Sequence, residues 1–403
     1  QDSTVGVFVG VMWGHYELHD VSETQQQMGR PSASFSSIAN RVSYHFDLHG
    51  PSMALDTMCS SSLTAIHTAC QSLRAGDCEF AIAGGVNIAS HPRKYQLLCQ
   101  QQFLSDDGRC RAFGEGGNGY VPGEGAGAVM LKPLSKAEAD GDHIYAVIRG
   151  SALNHGGKAS GFTVPNQKQQ ASVISQALAD AKWPVDTLDY VEAHGTGTSL
   201  GDPIELSGLK KSLQLDSGSR TEPCWLGSVK SNIGHLESAA GIAGLSKILL
   251  QFQHGKIAPS LHSNQLNPNL AIQGSGFEVP QVLTAWPERK DGQTKRAGIS
   301  SFGAGGSNAH LLLEAFEVPE EKGGEFTQGL MLLSSTSDER LRNYIGSVLD
   351  FLNGTELSAR ELQALSYSSL VGRDHYNFRV ACVFSSQAQL IQQLTSCLGE
   401  DNA

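Results

Sequence analysis

One stretch constrains this chain more than any other: Leu55-Asp56-Thr57-Met58-Cys59-Ser60-Ser61-Ser62-Leu63. Before it, Pro51-Ser52-Met53-Ala54-Leu55 is a short apolar run that reads as a buried strand. After it, Leu63, Ile66, Ala69, Cys70 and Leu73 recur at spacings of three and four, the mark of an amphipathic helix. Gly76 supplies a stop, with Arg74 in the last turn. Cys59 is therefore predicted at a strand-to-helix turn, at or near a helix N-terminus. Unpaired N–H groups and the positive dipole end would favour a thiolate there. The three serines suit capping and a close approach of backbone to a ligand. The same setting also suits a cysteine buried as a small hydrophobe, and nothing local decides between the two.

Composition narrows the class. The chain has 403 residues and 40% hydrophobic content, enough for a large core and more than one domain. A net charge of −11 without any Lys/Arg run argues against nucleic acid as a partner. The eight cysteines (59, 70, 78, 99, 110, 224, 382 and 397) form no C-x-x-C pair, so reduced thiols in a cytoplasmic protein are the simplest reading. There is no secretory leader and no long apolar run, so membrane insertion is not expected. Starting at Gln1 and entering an apolar strand at Val5, the chain reads as a piece of a longer polypeptide.

Short apolar strands alternate with helices along most of the length, which predicts an α/β fold with both sheet faces covered. Strands are expected at 5–11, 80–86, 188–193, 225–229, 297–299 and 310–313, and helices at 34–46, 168–182 and 242–252. Residues 15–30 read as exposed loop and helix, and 91–118 as a long ordered loop with short helices. The runs 125–132 and 144–148 read as a strand pair. Composition shifts at Pro319-Glu320-Glu321-Lys322-Gly323-Gly324, a charged linker, and a small α/β module follows it to Ala403.

Three more polar clusters sit at the ends of apolar strands, where α/β proteins usually carry their chemistry. They are Glu192-Ala193-His194-Gly195-Thr196-Gly197-Thr198, Lys230-Ser231-Asn232-Ile233-Gly234-His235-Leu236-Glu237, and Ser300-Ser301-Phe302-Gly303-Ala304-Gly305-Gly306-Ser307-Asn308. Singly, each has a bland reading: a core histidine, an ordinary turn, or a phosphate loop that lacks the Gly-Lys-Ser/Thr ending. Together with Cys59 they supply a thiol, two imidazoles, a lysine and glycine-rich backbone donors, the parts that acyl transfer needs.

At this point the chain resembles a known family. Asp56-Thr57-Met58-Cys59-Ser60-Ser61-Ser62, the His194 cluster and the Lys230–His235 cluster are similar, in order, to the three active-site motifs of β-ketoacyl synthase (ketosynthase) domains. The histidines stand 135 and then 41 residues further along than Cys59 and His194 respectively. Gly119-Tyr120-Val121-Pro122-Gly123-Glu124, Asn154–Lys158 and Gly161–Asn166 extend the likeness over about residues 4–316. It is greatest to ketosynthases of modular polyketide synthases, most of all those of trans-acyltransferase assembly lines. The resemblance implies a thiolase-like fold of two related α/β halves in five layers, normally homodimeric. It further implies that residues 1–316 are a ketosynthase domain lacking the family's N-terminal region. On the same reading, 317–327 is a linker and 328–403 begins a flanking subdomain. Asn118 departs from the Asp common at its position, with a local hydrogen bond as the expected consequence.

The implied reaction is a decarboxylative Claisen condensation. Cys59 would take an acyl group from an acyl carrier protein, with backbone N–H groups of Cys59 and of the loop at Phe302 and Gly303 holding the thioester oxygen. His194 and His235 would stabilise the enolate formed from a malonyl-type extender on a second carrier. Lys230 would orient His235, and Glu237 would pair within the same network. No metal or resident cofactor is implied, because the phosphopantetheine arm arrives on the carrier. Other modules and a separate acyltransferase are the further partners implied. The rival readings are a non-extending ketosynthase that only transfers acyl chains, a fatty-acid-type condensing enzyme, and a thiolase.

Overall fold

A computed structural model describes residues 4–18, 34–213, 223–288, 294–317 and 326–399. Most of the 15–30 segment and the 319–324 linker fall outside these residues. The chain divides into two compact units, Gln1–Glu317 and Val318–Ala403.

The first unit begins with β1 (Val5–Gly10), α1 (Ser36–Phe46), β2 (Ser52–Leu55), α2 (Ser61–Ala75), β3 (Phe80–Asn87), α3 (Arg93–Gln100) and β4 (Gly125–Leu131). Its strands form one sheet in the order β2-β1-β3-β4, with β1 parallel to β2 and β3, and β3 antiparallel to β4. After α4 (Leu134–Ala139), the chain crosses to a second sheet through β5 (Ala146–His155), α5 (Gln167–Ala181), β6 (Tyr190–Glu192), α6 (Gly201–Ser212) and β7 (Cys224–Gly227). Then come α7 (Lys230–Ile233), α8 (Ala240–His254), β8 (Lys256–Ile257), β9 (Phe277–Glu278), β10 (Thr284–Ala285), β11 (Arg296–Phe302) and β12 (Ser307–Ala315). The second sheet runs β5-β12-β11-β6-β7-β9, while β8 and β10 pair apart from it.

The two sheets repeat one plan. In the second, β6 lies parallel to β7 and β11, and β11 antiparallel to β12. This matches β1, β2, β3 and β4 in turn. Each half sends a helix from its second strand into the middle of the molecule, α2 after β2 and α8 after β7. Alternation along β12 shows how the layers form. Leu311 and Leu313 join the core shared with α2 and α8, through Leu63, Ile66, Ile242 and Ile248. Leu312 joins the opposite core with Val173, Ile174, Leu206 and Leu209 of α5 and α6. With α1 packed on β1 and β2, the order is helix, sheet, central helices, sheet, helix. This is the five-layered, two-half thiolase-like architecture that the resemblance implies.

The expected pairing of 125–132 with 144–148 does not occur. β4 pairs with β3, whereas β5 pairs with β12 in the other sheet. The link between the two strands spans from one half to the other, so sequence proximity was misleading. Among the described residues β4 is an edge strand, while its counterpart β12 has β5 beyond it.

The second unit holds β13 (Gly329–Ser335), α9 (Asp338–Gly354), α10 (Ala359–Val371), β14 (Phe378–Phe384) and α11 (Gln387–Gly399). β13 and β14 pair antiparallel over a core that includes Leu333, Ile345, Leu352, Phe384 and Leu390. On β13, Ser366 and Ser369 of α10 accept the N–H groups of Leu330 (2.9 Å) and Leu332 (3.2 Å), which occupies donors that the two-stranded sheet leaves over. Among the described residues of the whole chain, no helix is long and apolar enough to cross a membrane.

Candidate active site

Cys59 lies in a single 3-10 turn, Met58–Ser60, between β2 and α2. Met58 before it has φ +60°, a left-handed conformation unusual for a long side chain. The turn is held from several directions. The Asp56 carboxylate accepts the Met58 N–H at 2.9 Å, Ser61 Oγ accepts the Thr57 N–H at 2.9 Å, and Ser301 Oγ donates to the Cys59 carbonyl at 2.7 Å. The serines after Cys59 thus wire the turn to its neighbours, and no side chain caps α2. Ser62 Oγ accepts the Ile242 N–H at 3.1 Å and ties the starts of the two central helices together. Gly10 makes the approach possible: a Cβ there would lie 2.5 Å from the Ser62 nitrogen.

Cys59 is 6% exposed and faces a cavity of about 810 Å³. Burial pushes its thiol up to about 12, and the nearby Glu237 charge adds to the effect. Lys230 and the N–H groups of Ala304 and Cys59 itself oppose the shift without overcoming it. The expectation of a resting thiolate is therefore corrected. The helix-end field acts on a buried sulfur, and desolvation wins. The expected loop donors also shift. The Phe302 N–H donates to His194 Nδ1 and the Gly303 N–H donates to the Ser307 carbonyl. This leaves Ala304, with Cys59, as the backbone donors directed at the sulfur.

His194 follows β6 and lines the same cavity. Its loop is held by Glu205 of α6, whose carboxyl accepts the N–H groups of His194 (2.7 Å) and Gly195 (2.8 Å). Asp202 accepts the N–H groups of Phe113 (2.7 Å) and Gly197 (3.2 Å). Burial raises Asp202 to about 6 and Glu205 to about 7. The ring of His194 accepts the Phe302 N–H at Nδ1, 3.3 Å away. Burial, then Lys230, hold its pKa well below 6.5. A neutral ring that accepts at Nδ1 must carry its proton on Nε2.

His235 reaches the same state by another route. Its backbone is clamped between Val121 and Gly123, whose carbonyl and N–H bond it at 2.7 and 2.9 Å, which gives the 119–124 motif a physical role. Its Nδ1 accepts the Glu237 N–H at 2.9 Å. Burial, then Lys230, keep this imidazole neutral too. Its Nε2 is therefore the protonated nitrogen, and among the described residues that buried atom has no hydrogen-bond partner. The two rings lie 5.5 Å apart, nearly perpendicular. Lys230, buried at the start of α7, is within electrostatic reach of Cys59 and both histidines. The bond that orients His235 comes from the Glu237 backbone, and not from Lys230.

The structure thus gathers Cys59, His194, His235, Phe302 and Gly303 around one cavity, with Lys230 and Glu237 behind it. Sequence reasoning missed Ala304, Asp202, Glu205, and the partners of the Glu237 carboxylate: Trp13, Tyr120 and Lys94. Asp202 and Glu205 had a signal, since two acids open the helix just after the His194 loop. Asn118 exchanges hydrogen bonds with Asp106, a local effect as expected.

Comparison with known proteins agrees with this geometry. Residues 1–137 match the family model "Beta-ketoacyl synthase, N-terminal domain", 145–264 match "Beta-ketoacyl synthase, C-terminal domain", and 329–394 match "CurL-like, PKS C-terminal". Polyketide synthase PksL of Bacillus subtilis is 51% identical over 99% of this chain, and polyketide synthase ThaG of Burkholderia thailandensis is 50% identical over 97%. The chain spans only 9% and 7% of those proteins. Among solved structures, the oxazolomycin ketosynthase domain OzmH KS7 of Streptomyces albus matches with TM-score 0.86 and 48% identity, over 98% of this chain and 69% of that one. The ketosynthase from module 6 of the bacillaene synthase of Bacillus subtilis matches with TM-score 0.85 and 36% identity, over 99% and 67%. With fold, motifs and site geometry in agreement, the chain belongs to the β-ketoacyl synthase family, among the ketosynthases of polyketide synthases.

Proposed function

We propose that this chain performs decarboxylative Claisen condensation between an acyl group on Cys59 and a malonyl-type extender. One observation carries the reading: both imidazoles accept a backbone N–H at Nδ1, which leaves two neutral rings with Nε2–H donors beside the only cysteine that lines the described cavity. In the first half-reaction, Cys59 Sγ attacks the thioester carbon of the incoming chain. The Cys59 and Ala304 N–H groups receive the oxyanion. The bond to the pantetheine sulfur breaks, and the Cys59 proton ends on that departing thiol. In the second, the malonyl C–C bond to the carboxylate breaks and carbon dioxide leaves. The electron pair passes into an enolate whose oxygen takes hydrogen bonds from His194 and His235. The enolate carbon then attacks the acyl carbonyl, and Cys59 leaves as a thiolate that regains a proton.

The phosphopantetheine arms enter with acyl carrier proteins, as substrates of the domain. The trans-acyltransferase type of assembly line, other modules as partners and a cytoplasmic location belong to the same reading. So does a homodimer. Tyr44, Phe46 and Met53 are 90%, 63% and 41% exposed around β2, which among the described residues is an edge strand of the first sheet. Intact mass after exposure to a panel of acyl thioesters tests the nucleophile: wild type should gain one acyl group and Cys59→Ala none. Continued loading of Cys59→Ala at another cysteine would refute the assignment.

A further inference from the structure

Lys94 and Glu237 form an ion pair at 2.5 Å with both side chains wholly buried. Removing two charges from water is costly, and such a pair does not by itself indicate stability. What it holds is more specific. Glu237 sits at φ +46°, left-handed for a non-glycine residue. In that conformation its own N–H turns back to His235 Nδ1. The carboxylate runs into the core and is fixed at both oxygens. Oε2 takes the Trp13 indole N–H at 2.8 Å and the Lys94 ammonium, and Oε1 takes the Tyr120 hydroxyl at 3.1 Å. Lys94 also reaches Asn87 Oδ1 at 3.5 Å, and that amide is oriented by donating to the Gly123 carbonyl at 2.7 Å. Gly123 is the residue that clamps the His235 backbone. The Tyr120 ring lies 4.7 Å from that of His235. Every polar contact of this cluster therefore leads back to one imidazole.

We propose that Lys94 and Trp13 are positioning residues that, through Glu237, lock His235 in the Nε2–H tautomer and aim it into the cavity. This rests on the condensation reading above, in which that N–H serves carbon dioxide release and has no part in loading Cys59. Without the ammonium, the buried carboxylate has an uncompensated charge. Residue 237 loses the anchor of its left-handed turn, and Nδ1 loses a fixed donor.

The test measures loading of Cys59 by intact mass and carbon dioxide release from a malonyl-pantetheine thioester in the same preparations, with 15N-histidine spectra of each. In Lys94→Met, carbon dioxide release should fall by about tenfold or more, the scale of one charge-assisted contact. Loading should change by less than about threefold, and the unprotonated nitrogen of His235 should no longer be Nδ1 alone. The neutral double variant Lys94→Met/Glu237→Gln keeps an acceptor for the Trp13 indole N–H and turns an amide N–H toward the Tyr120 oxygen, and should recover most of the loss. If Lys94→Met does not fold, Trp13→Phe, which removes one N–H from the carboxylate, should show a smaller loss in the same half-reaction. Parallel loss of both half-reactions, an unchanged His235 tautomer, or no recovery in the double variant would overturn the inference. His235→Ala separates the two levels. If it keeps carbon dioxide release, the condensation reading fails. If it loses release while Lys94→Met keeps it, only the positioning role fails.

Discussion

At the scale of single residues, the reacting groups are held in their neutral forms. Burial keeps the Cys59 thiol protonated and both imidazoles uncharged. For the histidines this suits a hydrogen-bond donor that must not compete as an acid. For the cysteine it means that reactivity is conferred when substrate enters, by the N–H groups of Cys59 and Ala304, and is not stored in a resting thiolate. Alkylation reports this directly. With the thiol near 12, the rate of iodoacetamide labelling of Cys59, followed by mass spectrometry, should rise about tenfold per pH unit from 7 to 9. A rate already level at pH 7 would mean a thiolate at rest and would contradict the geometry. The residues that stabilise these forms were only partly legible in the sequence. Cys59, His194 and His235 each sit in a contiguous motif, so their chemistry could be read locally. Trp13 and Glu237 meet across 224 positions, and Lys94 lies in a stretch without periodicity, so nothing local marks either contact. Ala304 acts through its backbone, and an alanine in a glycine loop carries no chemical sign of that.

At the scale of elements, close approach of α2 to β1 sets the nucleophile. The strand–turn–helix around Cys59 was legible because apolar spacing changes period there from strand to helix. The pairing of β4 and β5 was not, because periodicity identifies strands and says nothing of which sheet receives them. Gly10 tests the element-level account. Its absent Cβ would meet backbone atoms of Ser61 and Ser62 at 2.6 and 2.5 Å, and backbone cannot rotate aside. Gly10→Ala should therefore cost about 1–3 kcal/mol through overpacking, seen as a lower Tm, together with slower loading of Cys59 as the start of α2 is displaced. An unchanged Tm would show that α2 does not need this contact.

At the scale of the whole molecule, the duplicated half explains why three distant motifs converge. Equivalent strands β2 and β7 each lead into a central helix. The Cys59 turn and the Lys230–Glu237 segment are therefore brought together from opposite halves, and Ser62 bonds to Ile242 where those helices begin. Sequence alternation indicated the α/β class, whereas the internal repeat carries no repeated residues that a short-period search could find. The exposed Tyr44, Phe46 and Met53 place apolar side chains beside β2, whose outer edge is free among the described residues. If the domain pairs through that edge, Tyr44→Asp/Phe46→Asp should shift sedimentation from dimer toward monomer. A wild-type monomer, or a double variant that stays dimeric, would place association elsewhere or remove it.

The site divides its labour, with Cys59 and backbone donors for acyl uptake and His194 with His235 for carbon dioxide release. The most direct measurement follows both half-reactions side by side, as acyl-Cys59 by intact mass and carbon dioxide release from malonyl carrier, in His194→Ala and His235→Ala. A lost donor to a developing oxyanion costs on the order of 3–4 kcal/mol, or about a hundred- to a thousandfold in rate. His194→Ala should therefore still load Cys59 while nearly ceasing to release carbon dioxide, and His235→Ala should be at least as impaired in release. A His194→Ala variant that fails to load yet still releases carbon dioxide would reverse the roles and contradict the account.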